Sequence, residues 1–158
     1  MTREKAWSLC GTRAVGVVPR QRGKTLTVVG AIALDGVRAM MAYEGGTDRA
    51  AFLRFVTDAL VPSLRPGDVV VWDNFGAHKA LGVRELIEAA GATILWLPPY
   101  HPELNPIELA WTKLKRLLRT AGARCYADLA IALKRATQLI TTDDTAGWLR
   151  HCGHAQVI

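Results

Sequence analysis

Nowhere in this chain do about 18 apolar residues run together, so no stretch reads as a membrane-spanning helix. The opening MTREKAWSLCG lacks the apolar core of a secretory leader. Cysteine is scarce: Cys10, Cys125 and Cys152 are odd in number and far apart, which gives no disulfide framework and reads as reduced thiols. Internal repeats, low-complexity tracts and an obvious linker are all missing, so 158 residues are expected to form one domain with a real core. Acidic residues are in deficit, 14 against 20 Lys+Arg, for a net charge of +6. That imbalance favours a polyanionic partner, most simply nucleic acid. Half the residues are hydrophobic and 22% are charged, which excludes a disordered chain.

What is present alternates. Residues 1–24 are basic and irregular, an arm with at most one short strand around Ala14–Val18. The β-branched run Thr25–Leu34 predicts a buried strand, Asp35-Gly36 a hairpin turn, and Val37–Tyr43 the returning strand. Thr47 is expected to cap a helix reaching Leu60, closed by Pro62 and Arg65-Pro66-Gly67. Then follow a strand over Val69–Trp72, a helix over Ala80–Ala90 ended by Gly91, and a strand over Thr93–Leu97. A helix starts at Asn105-Pro106 and runs to about Arg119, and another spans Tyr126–Thr141. A hairpin followed by alternating strand and helix predicts an α/β fold, a mixed sheet flanked by helices.

Two carboxylates stand out. Asp73 directly follows the apolar strand VVVW, where an ordered backbone would hold it rigidly as a ligand for a hard cation such as Mg²⁺. An aspartate before Asn74-Phe75-Gly76 could equally shape a turn. Glu108 falls in a first helical turn, after Asn105 as cap and Pro106 at the first position. There it could simply favour the helix dipole. Against that reading stands the stiff lead-in Pro98-Pro99-x-x-Pro102-x-x-x-Pro106, which fixes how the strand approaches the helix and so aims one side chain.

The motifs W-D-N-x-x-x-H, at Trp72–His78, and L-P-P-Y-x-P-x-L-N-P-I-E-x-x-W-x-x-L-K, at Leu97–Lys115, resemble the mariner-type transposases of the bacterial insertion-sequence branch. Thirty-four residues lie between Asp73 and Glu108, the spacing of that branch. The resemblance runs from about Trp7 to about His154. It implies a ribonuclease-H-like domain over 25–158, with a helical tail from about 121. Two aspartates and a glutamate would hold two Mg²⁺ or Mn²⁺ ions, with Asp73 bridging them and Glu108 binding one. Two such ions clamp an in-line displacement at phosphorus. The implied function is strand cleavage and strand transfer in cut-and-paste transposition. The implied partners are element-end and target DNA, with a homodimer or an upstream transposase fragment, in the bacterial cytoplasm at the nucleoid and away from membranes.

The resemblance is incomplete in one respect: no Asp precedes Asp35, and Asp35 belongs to the hairpin turn. The first acid, and the first central strand that carries it, are therefore expected to be missing or replaced. The resulting unpaired edges could be closed by pairing Thr25–Leu34 with Val69–Trp72 in a shifted register, or by residues 12–18. An alternative function follows, an inactive remnant that binds DNA nonspecifically or assembles with a complete protomer. Asn74, His78 and Asn105 are candidates to orient the carboxylates by hydrogen bonding. Lys113, Lys115, Arg116 and Arg119 share the helix of Glu108, either as a solvated surface or as a grip on DNA phosphates. Trp111, Leu114, Leu117 and Leu118 are read as core. The tail His151-Cys152-x-His154 is half a zinc motif with no obvious second pair.

Overall fold

A computed structural model describes residues 7–15, 25–46, 48–73 and 82–154. Strand β1 (Leu26–Ala33) turns through Leu34-Asp35 into β2 (Gly36–Glu44). Gly36 takes φ +113, so the turn sits one residue earlier than the Asp-Gly signal suggests. The ladder is antiparallel, with a register shift after Ala31: Ala31 faces Ala39 while Ile32 faces Val37. Arg38 is the extra residue of this bulge, and bulges re-aim side chains. Its guanidinium reaches Asp35 (2.6 Å), the carbonyl of Ser63 (2.9 Å) and Asp68 (3.6 Å). The hydrogen bond from Arg38 is the main reason that the Asp35 carboxyl lies below its ordinary range.

Helix α1 (Arg49–Phe55) is capped by Asp48, whose side chain accepts from Ala51 N, rather than by Thr47, which lies outside the described residues. The chain continues as a π-helical turn over Val56–Leu60 and a 3₁₀ turn over Val61–Ser63. Strand β3 (Val69–Trp72) pairs in parallel with β4 (Thr93–Trp96) across α2 (Val83–Ala89). Helix α3 (Pro106–Ala121) follows, then α4 (Tyr126–Gln138) and α5 (Thr142–His151). α4 stops at Gln138, short of the expected Thr141, and α5 is a separate helix that the sequence does not announce. Thr141 is instead the cap of α5, in a capping box with Asp144.

The strands form one antiparallel and one parallel pair, each two-stranded, flanked by helices. One core joins Phe52, Phe55, Val56, Leu60, Val83 and Ile87 to Val29, Ala31 and Met41 of the hairpin and to Val70, Trp72 and Ile94 of the parallel pair. A second core sets Leu114, Leu118, Leu133 and Ala136 against Leu26, Val28 and Met40. The alternation is that of a strand, whose successive side chains point to opposite faces. Trp111 and Leu117 pack half-buried at this second core, as their helical spacing predicts.

One expectation is overturned. β1 pairs with β2 and β3 with β4, so Thr25–Leu34 does not pair with Val69–Trp72. Both pairs are anchored on the same layer around Phe52 and Phe55, and closing the gap would forfeit that burial. Residues 12–15 do not fill it either: they form no strand and are exposed, Val15 to 90%. Residues 16–18 of the same expectation lie outside the described residues.

Candidate metal and nucleic-acid site

Asp73 comes one residue after β3, half-buried. Its backbone position is fixed from the β4 side, where Leu97 N donates to Trp72 O at 2.7 Å. The Trp72 ring lies 5.5 Å from Phe52 and 5.9 Å from Trp96, so both tryptophans brace the strand ends.

Glu108 reaches its place through the proline-rich segment. Pro102–Leu104 forms a 3₁₀ turn, with Tyr100 ahead of it at φ +64, an uncommon conformation for an aromatic residue. His101 Nδ1 lies 2.7 Å from Glu103 Oε1, and this bond is the main cause that lowers the Glu103 pKa. Asn105 is buried and its side chain accepts from Ile107 N, capping α3, while Pro106 occupies the first turn. Glu108 N donates to Asn105 O at 3.1 Å, which leaves the carboxylate exposed on the first turn. His154 Nε2 lies 2.7 Å from Leu104 O and ties the lead-in to the end of the described chain.

Asp73 and Glu108 open on one cavity of about 500 Å³, together with Asn105, Ile107 and Trp111. Its walls are residues 28–33 of β1 with Leu34 of the turn, and residues 69–72 of β3. Asn74 and His78 lie outside the described residues. Among the described residues no group of three or more His, Cys, Asp or Glu is placed to hold a metal ion. Two carboxylates on one cavity nonetheless suit a hard divalent cation, which takes few protein oxygens and keeps several waters.

The four cations on α3 divide. Helical spacing places Thr112, Lys115 and Arg119 on the face of Glu108 and puts Arg116 at its flank. Lys115 and Arg116 are exposed, and Arg119 is half-buried. Lys113 turns away, partly buried, and pairs with Asp144 at the start of α5. The hydrogen bond from Lys113, followed by that from Thr141 N, holds the Asp144 carboxyl below the usual carboxylate range. Sequence reasoning missed both the Lys113–Asp144 pair and the His154 tie. The signal available for the first was Thr141-x-x-Asp144, a helix-start pattern opposite a basic helix. In the tail, Cys152 is buried, which raises its thiol pKa, while His151 is exposed.

A family model described as DDE superfamily endonuclease matches residues 1–130. A search of curated proteins found no match. Among solved structures, the chain resembles the Mos1 strand transfer complex (TM-score 0.72, 19% identity, 99% of this chain and 50% of that one). It also resembles a pre-cleavage Mos1 transpososome (TM-score 0.75, 16% identity, 99% and 49%). A third similar structure is the Mos1 mariner paired end complex with Mn (TM-score 0.69, 20% identity, 99% and 51%). The chain thus spans about half the length of the solved chains that it matches, and shares with them the ribonuclease-H-like mariner transposase fold.

Proposed function

The chain belongs to the DDE superfamily endonucleases, and from that premise we propose that it is the catalytic part of a cut-and-paste transposase, acting on DNA with a divalent metal. The observation that carries this reading is the shared cavity of Asp73 and Glu108. Asp73 and Glu108 are the residues that would hold Mg²⁺ or Mn²⁺. When bound, such an ion polarises a phosphoryl oxygen and lowers the pKa of its water. Asn105 fixes the first turn of α3 and so the direction of Glu108. Asn74 and His78 follow Asp73 closely enough to orient it. Lys115, Arg116 and Arg119 would hold the DNA backbone without reading sequence. Lys113, paired with Asp144, contributes position rather than a grip on phosphate.

A second reading has its own support. Two acids stand where the family uses three, so the chain by itself would bind DNA and metal weakly and leave strands uncut. The parent chain incubated with labelled duplex and Mg²⁺ or Mn²⁺ separates the two readings. We expect salt-sensitive DNA binding and no cleavage; cleavage abolished in Asp73→Ala would establish an active enzyme. In Lys115→Ala/Arg116→Ala the slope of log affinity against log salt should fall by about 2, roughly one for each phosphate no longer neutralised. No DNA binding at low salt, together with Mn²⁺ binding unchanged by Asp73→Asn and Glu108→Gln, would defeat both.

A further inference from the structure

We propose that Tyr100 is a stacking platform for an unpaired nucleobase, set on the segment that joins the elements of the two carboxylates. Two observations coincide there. Tyr100 is 99% exposed, and its backbone takes φ +64. Among the described residues no other residue except glycine has a positive φ. A bulky side chain in that region is strained, because its Cβ crowds the neighbouring carbonyl oxygen. Asparagine or glycine would sit there more easily. Neither burial nor backbone preference therefore accounts for a tyrosine at this position; a partner for the open face of its ring does.

The ring stands on a short, stiff stalk. Leu97 N donates to Trp72 O, so the chain leaves β4 level with the residue before Asp73. Pro98 and Pro99 follow, and three residues reach at most about 11 Å, which keeps Tyr100 close to that end of β3. On the other side, Leu104 N donates to His101 O at 3.2 Å and Asn105 N to Pro102 O at 3.0 Å, which close the 3₁₀ turn before α3 carries Glu108. His101 Nδ1 lies 2.7 Å from Glu103 Oε1, so the neighbouring side chain is held as well. Backbone on both sides, rather than packing, presents the ring.

This role rests on the reading that the chain acts on DNA. Inside a duplex each base face is covered by the next pair, and only phosphates and groove edges are offered. A tyrosine can cover a face where a nucleotide has left the stack, at a strand end or a nick. Strand cleavage and transfer make such ends. Every base has a π face, so Tyr100 holds the strand without reading its sequence.

Fluorescence anisotropy on the 158-residue chain tests the platform at low salt. The probes are two duplexes of one sequence, blunt-ended or carrying three unpaired nucleotides at a 3′ end. The parent should bind the extended duplex at least about fivefold more tightly, the lower end for one base stacked on an aromatic ring. Tyr100→Phe keeps the ring and should keep the difference. Tyr100→Asn and Tyr100→Gly accept the same backbone conformation without a ring. Both should abolish the difference, bind the blunt duplex as the parent does, and unfold at no lower temperature. A difference that survives in either variant, or is lost in Tyr100→Phe, overturns the proposal. So does a parent that treats the two duplexes alike, or a melting temperature lowered in both ringless variants, which marks a structural tyrosine. A parent that binds neither duplex defeats the DNA reading itself; blunt-duplex binding without the distinction defeats the role of Tyr100 alone.

Discussion

The two strand pairs differ in how they are covered. The antiparallel hairpin lies between two helical layers: Val29, Ala31 and Met41 face α1 and its π-helical continuation, and Leu26, Val28 and Met40 face α3 and α4. Among the described residues, the parallel pair is covered on one face only. Val70, Trp72 and Ile94 pack inward, while Val69 and Leu95, on the opposite face, remain 38% and 44% exposed. Strand pairing alone gives little stability; buried faces supply it. The hairpin therefore holds its place without a neighbour, and the parallel pair depends on α1 and α2. Asp73 sits on the weaker pair and Glu108 on the helix that supports the stronger one, so the candidate site joins two parts of unequal rigidity.

The largest expected effect tests what the two pairs share. Phe55→Ala empties a fully buried site in the core common to both and should cost about 3–5 kcal/mol. Denaturant titration should show both pairs loosening together. Leu114→Ala lies in the core on the other face of the hairpin and should cost about 2–5 kcal/mol. Its added amide exchange should concentrate in β1 and β2; equal loosening of β3 and β4 would show that the two pairs are held as one unit.

Gly30→Val comes next. A Cβ at position 30 would lie 3.2 Å from Ala39 O and 3.3 Å from the Trp111 ring, so the hairpin must shift against α3. About 1–3 kcal/mol of destabilisation is expected in thermal unfolding. Asp144→Asn removes the charge that Lys113 meets and should cost about 0.5–1 kcal/mol at neutral pH, the pair being partly exposed. The folded-state pKa of Asp144 is lowered, so its contribution is present above the ordinary aspartate value and lost as pH falls through the lowered one. The gap between parent and variant should therefore close below about pH 4. Leu95→Thr, on the uncovered face of β4, should change stability by no more than about 0.5 kcal/mol.

The elements that sequence resolved well are those with strong local signals. Leu26–Ala33 lies within its β-branched run, half-buried throughout rather than buried, and Asn105-Pro106 starts α3 where cap chemistry places it. Less legible was anything set by distant partners. The break between α4 and α5 was hidden because residues 126–141 carry no Gly or Pro, and only the Thr141–Asp144 box interrupts them. The role of Lys113 depends on an aspartate thirty-one residues away, which helix periodicity cannot reveal. Asp73 and Glu108 were found by spacing and flanking motif, since each alone passes for an ordinary turn or helix-start acid. The separation of the strands into two pairs follows from a shared helical layer that no single segment encodes.

The bond between His154 and the carbonyl of Leu104 closes a loop of fifty residues. Seen in time rather than space, it gives the site an order of assembly. A ribosome adding about 5–20 residues per second needs roughly 3–10 s to pass from Leu104 to His154. During that interval the segment aiming Glu108 has its prolines and its cap but not its clasp. The hairpin, whose contacts are local, can form well before then. The acid that follows β3 is thus presented early and the one on α3 is locked late, which delays a fully aligned pair until His154 has been made.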